Sequence, residues 1–219
     1  MAEPHGAVLL AGATGLVGGH LARQLAQPGR TLWLPLRKPN SALQALPGVL
    51  CLPWPMPGTL PQRVELALCA LGTTQAVAGS QEAFRAVDFD AVLEVAEVAR
   101  AAGAKRFGLV SALGADPASS VFYNRVKGEA EAAVAALGFE QLVIAQPSLL
   151  LGERKSLGQA HRPGEALAQR LAPLYAWATP LRWRPILAEH VATGLLRALS
   201  TKGPGTYRVL SDELFKLAR

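Results

Sequence analysis

The chain has 219 residues, half of them hydrophobic and 17% charged, a globular composition that excludes wholesale disorder. Its length fits one sizeable domain with a real core and is short for two. The net charge is +6, but the basic residues are scattered and lack runs with interleaved aromatics, so nucleic acid is not the expected partner.

The first apolar run, Ala7 to Ala11, reads as a buried strand. The residues before it lack the basic region of a signal peptide, and the run is too short to cross a bilayer. A cytoplasmic protein without a membrane span is therefore expected. Leu16–Leu25 follows as a helix with Val17, Leu21 and Leu25 on one stripe, stopped by Pro28-Gly29. Thr31–Leu34 reads as a second strand that Pro35 ends for want of an amide donor. Val49–Leu52 is a third strand, followed by a loop rich in proline. Glu65–Leu71 is a fourth, running into Gly72-Thr73-Thr74.

A long helix is predicted from Gln81 to Ala102, with Phe84, Val87, Ala91, Val95 and Val98 on one face and Gly103 as its stop. Phe107–Ser111 is strand five, Val121–Leu137 the next helix, and Leu142–Ala145 strand six, ended by Pro147. Beyond Pro147 arginines, prolines and Trp177 and Trp183 mingle without clear periodicity. A helix over Glu189–Leu199 and a strand over Thr206–Val209 close the chain. Strands alternating with helices predict an α/β fold, a doubly wound parallel sheet. Residues 1–219 read as one doubly wound domain, with about 150–190 forming a small C-terminal lobe.

Cys51 and Cys69 are the only cysteines, and neither has a partner at metal-ligand spacing; both read as reduced thiols. Gly12, Gly15 and Gly18 fall between the first strand and the first helix. In that setting glycines allow a tight turn, a close approach of backbone to a pyrophosphate and helix-on-strand packing, with the helix N-terminus facing the anion. Gly12, Thr14, Gly15, Leu16 and Val17 are the candidate cradle. The second strand leads into Leu36-Arg37-Lys38, with no acid from Thr31 to Ser41. A carboxylate there suits the ribose hydroxyls of NAD, whereas arginine suits a 2′-phosphate, so Arg37, assisted by Lys38, points to NADP rather than NAD.

Tyr123 and Lys127 are four apart on one helix face, where an ammonium favours the phenolate of its neighbour. Ser111, at a strand end, could hydrogen-bond the same substrate oxygen. With Cys69-Ala70-Leu71-Gly72-Thr73-Thr74, Val87-Asp88, Ser111-Ala112-Leu113-Gly114-Ala115-Asp116, Lys127-Gly128-Glu129 and Arg162-Pro163-Gly164-Glu165, these pieces resemble the short-chain dehydrogenase/reductase superfamily over nearly the whole length. The atypical group of Tat-interactive-protein-like oxidoreductases is the nearest in look.

The resemblance implies a Ser–Tyr–Lys site. Ser111 would polarise a substrate carbonyl, Tyr123 would exchange its proton, and Lys127 would hold the nicotinamide ribose and depress the Tyr123 pKa. Backbone at Ala70, Leu71, Gly72 and Thr73 would line the cofactor, as would Pro147 within Gln146-Pro147-Ser148. Two departures stand out: Asp88 occupies the place of a helix Asn that many relatives use, and Leu36 that of a second arginine in close relatives. His190 reads as a packing residue. The expected activity is an NADP-dependent oxidoreductase moving hydride to or from a small carbonyl or alcohol. Its alternatives are a cofactor-sensing regulatory protein without turnover and a small epimerase or dehydratase. Arg154, Arg162, Arg182 and Arg184 fit either an anionic substrate or a solvated surface, and monomer and homodimer are equally compatible with the pattern.

Overall fold

The computed structural model describes residues 6–151 and 180–219, built on one parallel sheet. Its strands are β1 (Ala7–Ala11), β2 (Leu32–Leu36), β3 (Val49–Pro53), β4 (Val64–Cys69), β5 (Arg106–Val110), β6 (Gln141–Gln146), β7 (Leu150–Leu151), β8 (Ile186–Leu187) and β9 (Gly205–Leu210). Seven join in the order β3-β2-β1-β4-β5-β6-β9, all parallel, and β7 pairs with β8 separately. The order steps outward from β1 in both directions, so the chain switches sides between β1 and β4. A crevice opens at the carboxyl ends of the strands at such a point.

The helices are α1 (Leu16–Leu25), α2 (Ser41–Gln44), α3 (Gln75–Ala78), α4 (Gln81–Arg85), α5 (Ala91–Ala101), α6 (Phe122–Ala136), α7 (Ala188–Thr201) and α8 (Ser211–Leu217). β1 is apolar at every position because both its faces are covered. Val8 and Leu10 pack into one core with Leu21 of α1, Val191 and Leu195 of α7 and Leu214 of α8. Leu9 and Ala11 enter the other, with Val92, Val95 and Ala99 of α5 and Val134 of α6. No helix among the described residues is long and apolar enough to cross a membrane.

Two local expectations are corrected. β2 does not stop at Pro35 but runs on to Leu36, paired with β3 throughout. The Leu32 N–H bonds Gly48 on the β3 side. Alternation then turns the nitrogen of residue 35 towards β1, whose pairing with β2 ends at Trp33, so no ladder donor is lost. The long helix is not uniform: a π-helical turn, Ala86–Asp90, separates α4 from α5. Phe84, Asp88, Val92, Val95, Val98 and Ala99 are buried along it, whereas the predicted Val87 and Ala91 are only partly buried. Short α2 and α3, the β7–β8 ribbon and α8 add to the predicted elements. Of the expected lobe at 150–190, residues 152–179 lie outside the described residues, and with them Arg154, Arg162-Pro163-Gly164-Glu165 and Trp177.

Candidate active site

The glycine turn leads from β1 into α1. Gly12 has φ +85°, and a Cβ there would lie 2.5 Å from the Ala70 carbonyl carbon and oxygen. A Cβ on Gly18 would lie 2.0 Å from the Gly12 oxygen. The turn is thus backbone against backbone, closed by Gly15 N–H donating to the Gly12 carbonyl at 2.9 Å and Ala70 N–H to the Ala11 carbonyl at 2.9 Å. Gly15 is the N-cap of α1; no side chain caps it, and its first turn carries no acid. Amide donors and the positive end of the helix dipole are left to face an anion, which fits a pyrophosphate cradle at Gly12, Thr14, Gly15, Leu16 and Val17.

Arg37 and Lys38 follow the last residue of β2, both exposed. β2 is parallel to β1 and adjacent to it, so both cations stand at the same sheet edge as the glycine turn. Ala70, Leu71, Gly72 and Thr73 leave β4 at that edge too. Pro147 follows β6 there, its carbonyl accepting from Leu113 N–H at 2.9 Å, which ties it to the segment after Ser111.

Ser111 directly follows β5. Its N–H bonds the Ala145 carbonyl at 2.8 Å, while its Oγ, buried, has no hydrogen-bond partner among the described residues. Lys127 and Tyr123 project from the first half of α6, one turn apart. The Tyr123 ring rests on the fully buried Phe84, ring centres 5.4 Å apart. Ser111, Lys127 and Asp88 line one narrow crevice floored by Val92, Leu109, Val110 and Ala130.

The charge in this crevice is paired. Lys127 Nζ lies 2.7 Å from Asp88 Oδ1, with the lysine side chain 7% and the aspartate 0% exposed. Asp88 Oδ2 accepts from the Thr73 N–H at 2.8 Å. Burial pushes the Lys127 pKa down, but the Asp88 carboxylate and Tyr123 outweigh it, and the net direction is up from the ordinary lysine value. One turn further along α6, buried Glu131 accepts from Gln146 Nε2 at 2.8 Å and from Arg208 Nε at 2.9 Å. These bonds fasten α6 to β6 and β9 and so fix the height of Lys127 against the sheet. Glu131 was missed in the sequence; its only signal is the i, i+4 step from Lys127 on an inward face.

Other candidates fall elsewhere. Arg182 stands 5.9 Å from the Trp183 ring centre, an exposed cation–π pair. His190 packs edge-on to Phe215, centres 5.2 Å apart. Cys69 ends β4 beside the Lys127–Asp88 pair, and burial pushes its thiol up to about 12. Cys51 is only partly buried, with its thiol also raised by burial. Native protein treated with iodoacetamide at neutral pH is therefore expected to carry label on Cys51 alone, Cys69 reacting only after denaturation, as peptide mass mapping would read. Label on Cys69 in the folded protein would contradict the packing at the end of β4.

No family model matches the chain. Among curated proteins it is 38% identical to "Protein fmp52, mitochondrial" of Emericella nidulans over 176 residues, 75% of this chain and 74% of that protein. It is 34% identical to the Debaryomyces hansenii FMP52 over 206 residues, 89% of each. It is 39% identical to rat HTATIP2 over 152 residues, 68% of this chain and 59% of that protein. Among solved structures it resembles the Helicobacter pylori ADP-L-glycero-D-manno-heptose-6-epimerase, with TM-score 0.66, 15% identity and coverage of 96% of this chain and 78% of the other. It also resembles the human epimerase family protein SDR39U1 with NADPH, with TM-score 0.62, 18% identity and coverage of 93% and 74%. These structural likenesses show the Rossmann-like fold. The expectation of a cytoplasmic protein is corrected by the relatives: the FMP52 proteins to which the chain is similar are mitochondrial by name. Its similarity to FMP52 over most of both chains, on a doubly wound parallel sheet, makes this chain a member of the FMP52 and HTATIP2 family of atypical short-chain dehydrogenase/reductases.

Proposed function

We propose that the protein is an oxidoreductase that uses NADP in preference to NAD and moves hydride between the cofactor and a small carbonyl or alcohol. The observation that carries this reading is the crevice lined by Lys127 and by Ser111, whose buried Oγ has no hydrogen-bond partner among the described residues, with Tyr123 one turn before Lys127. A buried hydroxyl without a partner is costly unless something arrives to bond it. A substrate oxygen would do so.

When bound, the nicotinamide cofactor supplies or takes up the hydride. The residues of the chain do the rest. The Gly12–Val17 turn and the start of α1 bind the pyrophosphate through backbone N–H groups. Arg37, with Lys38, pairs with the 2′-phosphate through its planar fork of donors. Lys127 donates to ribose hydroxyls, and Ala70 to Thr73 and Pro147 flank the nicotinamide half. Ser111 donates to the substrate oxygen, and Tyr123 gives that oxygen its proton in reduction and takes it back in oxidation. The solved NADPH complex of SDR39U1 and the open N-terminus of α1 support the reading.

Hydride transfer from NADPH to a panel of aldehydes and ketones, followed by loss of NADPH absorbance, tests it. NADPH binding with no turnover on any carbonyl would favour a regulatory protein instead. The cofactor preference is checked separately. Replacing Arg37 by Ala is expected to weaken NADPH binding about tenfold while leaving NADH binding within about twofold, since only the former loses a charge-assisted pair. Equal affinities for the two cofactors in the unaltered protein, unmoved by the substitution, would overturn the NADP assignment.

A further inference from the structure

Ser211 is a polar residue, only 2% exposed, that none of the roles given above uses. It follows Leu210, the last residue of β9, and opens α8. Leu210 stands opposite Gln146 in the register of β9 with β6, so Ser211 reaches the same sheet edge as Pro147 and Ser148. Its hydroxyl serves Ser148 in both senses. The Ser148 N–H donates to Ser211 Oγ at 2.8 Å, and Ser211 Oγ donates to Ser148 Oγ at 3.1 Å. Ser148 Oγ in turn donates to the Arg184 carbonyl, two residues before β8. A serine hydroxyl has a single hydrogen to give, so these bonds run in one direction and use both hydroxyls fully.

The two residues before Ser148 are held as well. Gln146 Nε2 donates to Glu131 of α6 at 2.8 Å, and the Pro147 carbonyl accepts from Leu113 N–H at 2.9 Å. The segment is thus fastened residue by residue, at 146 to α6, at 147 to the stretch after β5 and at 148 to α8. Proline has no N–H, so the first amide donor beyond β6 is that of Ser148. Ser211 accepts it.

We propose that Ser211 is a positioning residue for the nicotinamide half of the cofactor: by accepting the first amide beyond Pro147, it sets the height at which that segment meets the ring. The inference rests on the cofactor reading given above and adds the C-terminal helix α8 to the site. A serine that only docked α8 would, on removal, cost stability without preference for either end of the cofactor. A serine that sets the Pro147 segment acts on the nicotinamide end alone.

Ser211→Ala leaves the Ser148 N–H without its acceptor and Ser148 Oγ without its donor. Calorimetric titration with two ligands reads the result. One is NADPH; the other is 2′-phospho-ADP-ribose, which keeps the adenosine, the 2′-phosphate, the pyrophosphate and the second ribose but lacks the nicotinamide ring. NADPH is expected to bind about fivefold more weakly to Ser211→Ala, while 2′-phospho-ADP-ribose stays within about twofold. Ser211→Thr, which keeps a hydroxyl, is expected to return NADPH to within about twofold of the original. If Ser211→Ala does not fold, Ser211→Cys, close to serine in shape but a weak acceptor, carries the same test.

A loss shared equally by both ligands, or no loss for NADPH, would overturn the inference and leave the oxidoreductase reading standing. NADPH that failed to bind the unaltered protein would overturn both.

Discussion

Replacing Tyr123 by Phe is expected to abolish turnover, lowering kcat by about 10²–10⁴-fold, while NADPH binding stays within about twofold. The substitution removes one hydroxyl and nothing else of the packing. The ring is only part-buried and rests against Phe84, 5.4 Å between centres, a contact that phenylalanine keeps. What is lost is the proton that the substrate oxygen must receive. Ser111 can hydrogen-bond that oxygen but is a poor acid, and Lys127 is held by Asp88 at 2.7 Å. Neither is placed to substitute for the phenol. Initial rates of NADPH oxidation with the best carbonyl of the panel, set beside NADPH titrations of both proteins, decide it. Activity that survives the change undiminished would show that the phenol is not the acid.

The parts of this site most legible in the sequence are those fixed by short-range geometry. A strand, a glycine turn and a helix follow one another within nineteen positions of Ala7–Leu25, and the turn stands where the pattern puts it. Tyr123 and Lys127 share a helix, so their spacing alone sets their common face. Ser111 was placed on the strand end, and the structure puts it just past β5. Illegible were features that depend on the surroundings. A π turn is one extra residue in a helical repeat, and nothing in Ala86–Asp90 announces it; in the sequence Asp88 reads only as standing in place of a helix Asn, and its buried pairing with Lys127 needs α6 in place. Pro35 was read from a general rule about donors. Which side of a strand its nitrogen faces depends on the register with β1 and β3, and that is set by long-range pairing. Glu131 needed β6 and β9 in place before its partners existed.

The cradle offers the other large effect. Gly18→Ala adds a single methyl to a buried α1 residue, and alanine favours helix over glycine in isolation, so propensity alone predicts a small gain. Packing decides the opposite. That methyl would sit 2.0 Å from the Gly12 oxygen and 2.7 Å from its carbonyl carbon, with Ala13 Cα at 3.0 Å. All of these are backbone atoms, so no side chain can turn aside, and either α1 lifts from β1 or the turn opens. Either movement displaces the N–H groups that would meet the pyrophosphate. The expected result is destabilisation by about 1–3 kcal/mol, as for overpacked cores, and NADPH binding weakened tenfold or more. Gly58→Ala is the matched control. Nothing lies within 4 Å of a Cβ at that exposed position, so its melting temperature and cofactor affinity are expected to stay near those of the original. Thermal melts with and without NADPH separate the two consequences: the loss without ligand reports the clash, and the smaller upward shift on adding NADPH reports the damaged cradle. A Gly18→Ala protein that melts lower yet gains as much stability from NADPH as the original would mean that the pyrophosphate is not held at the start of α1.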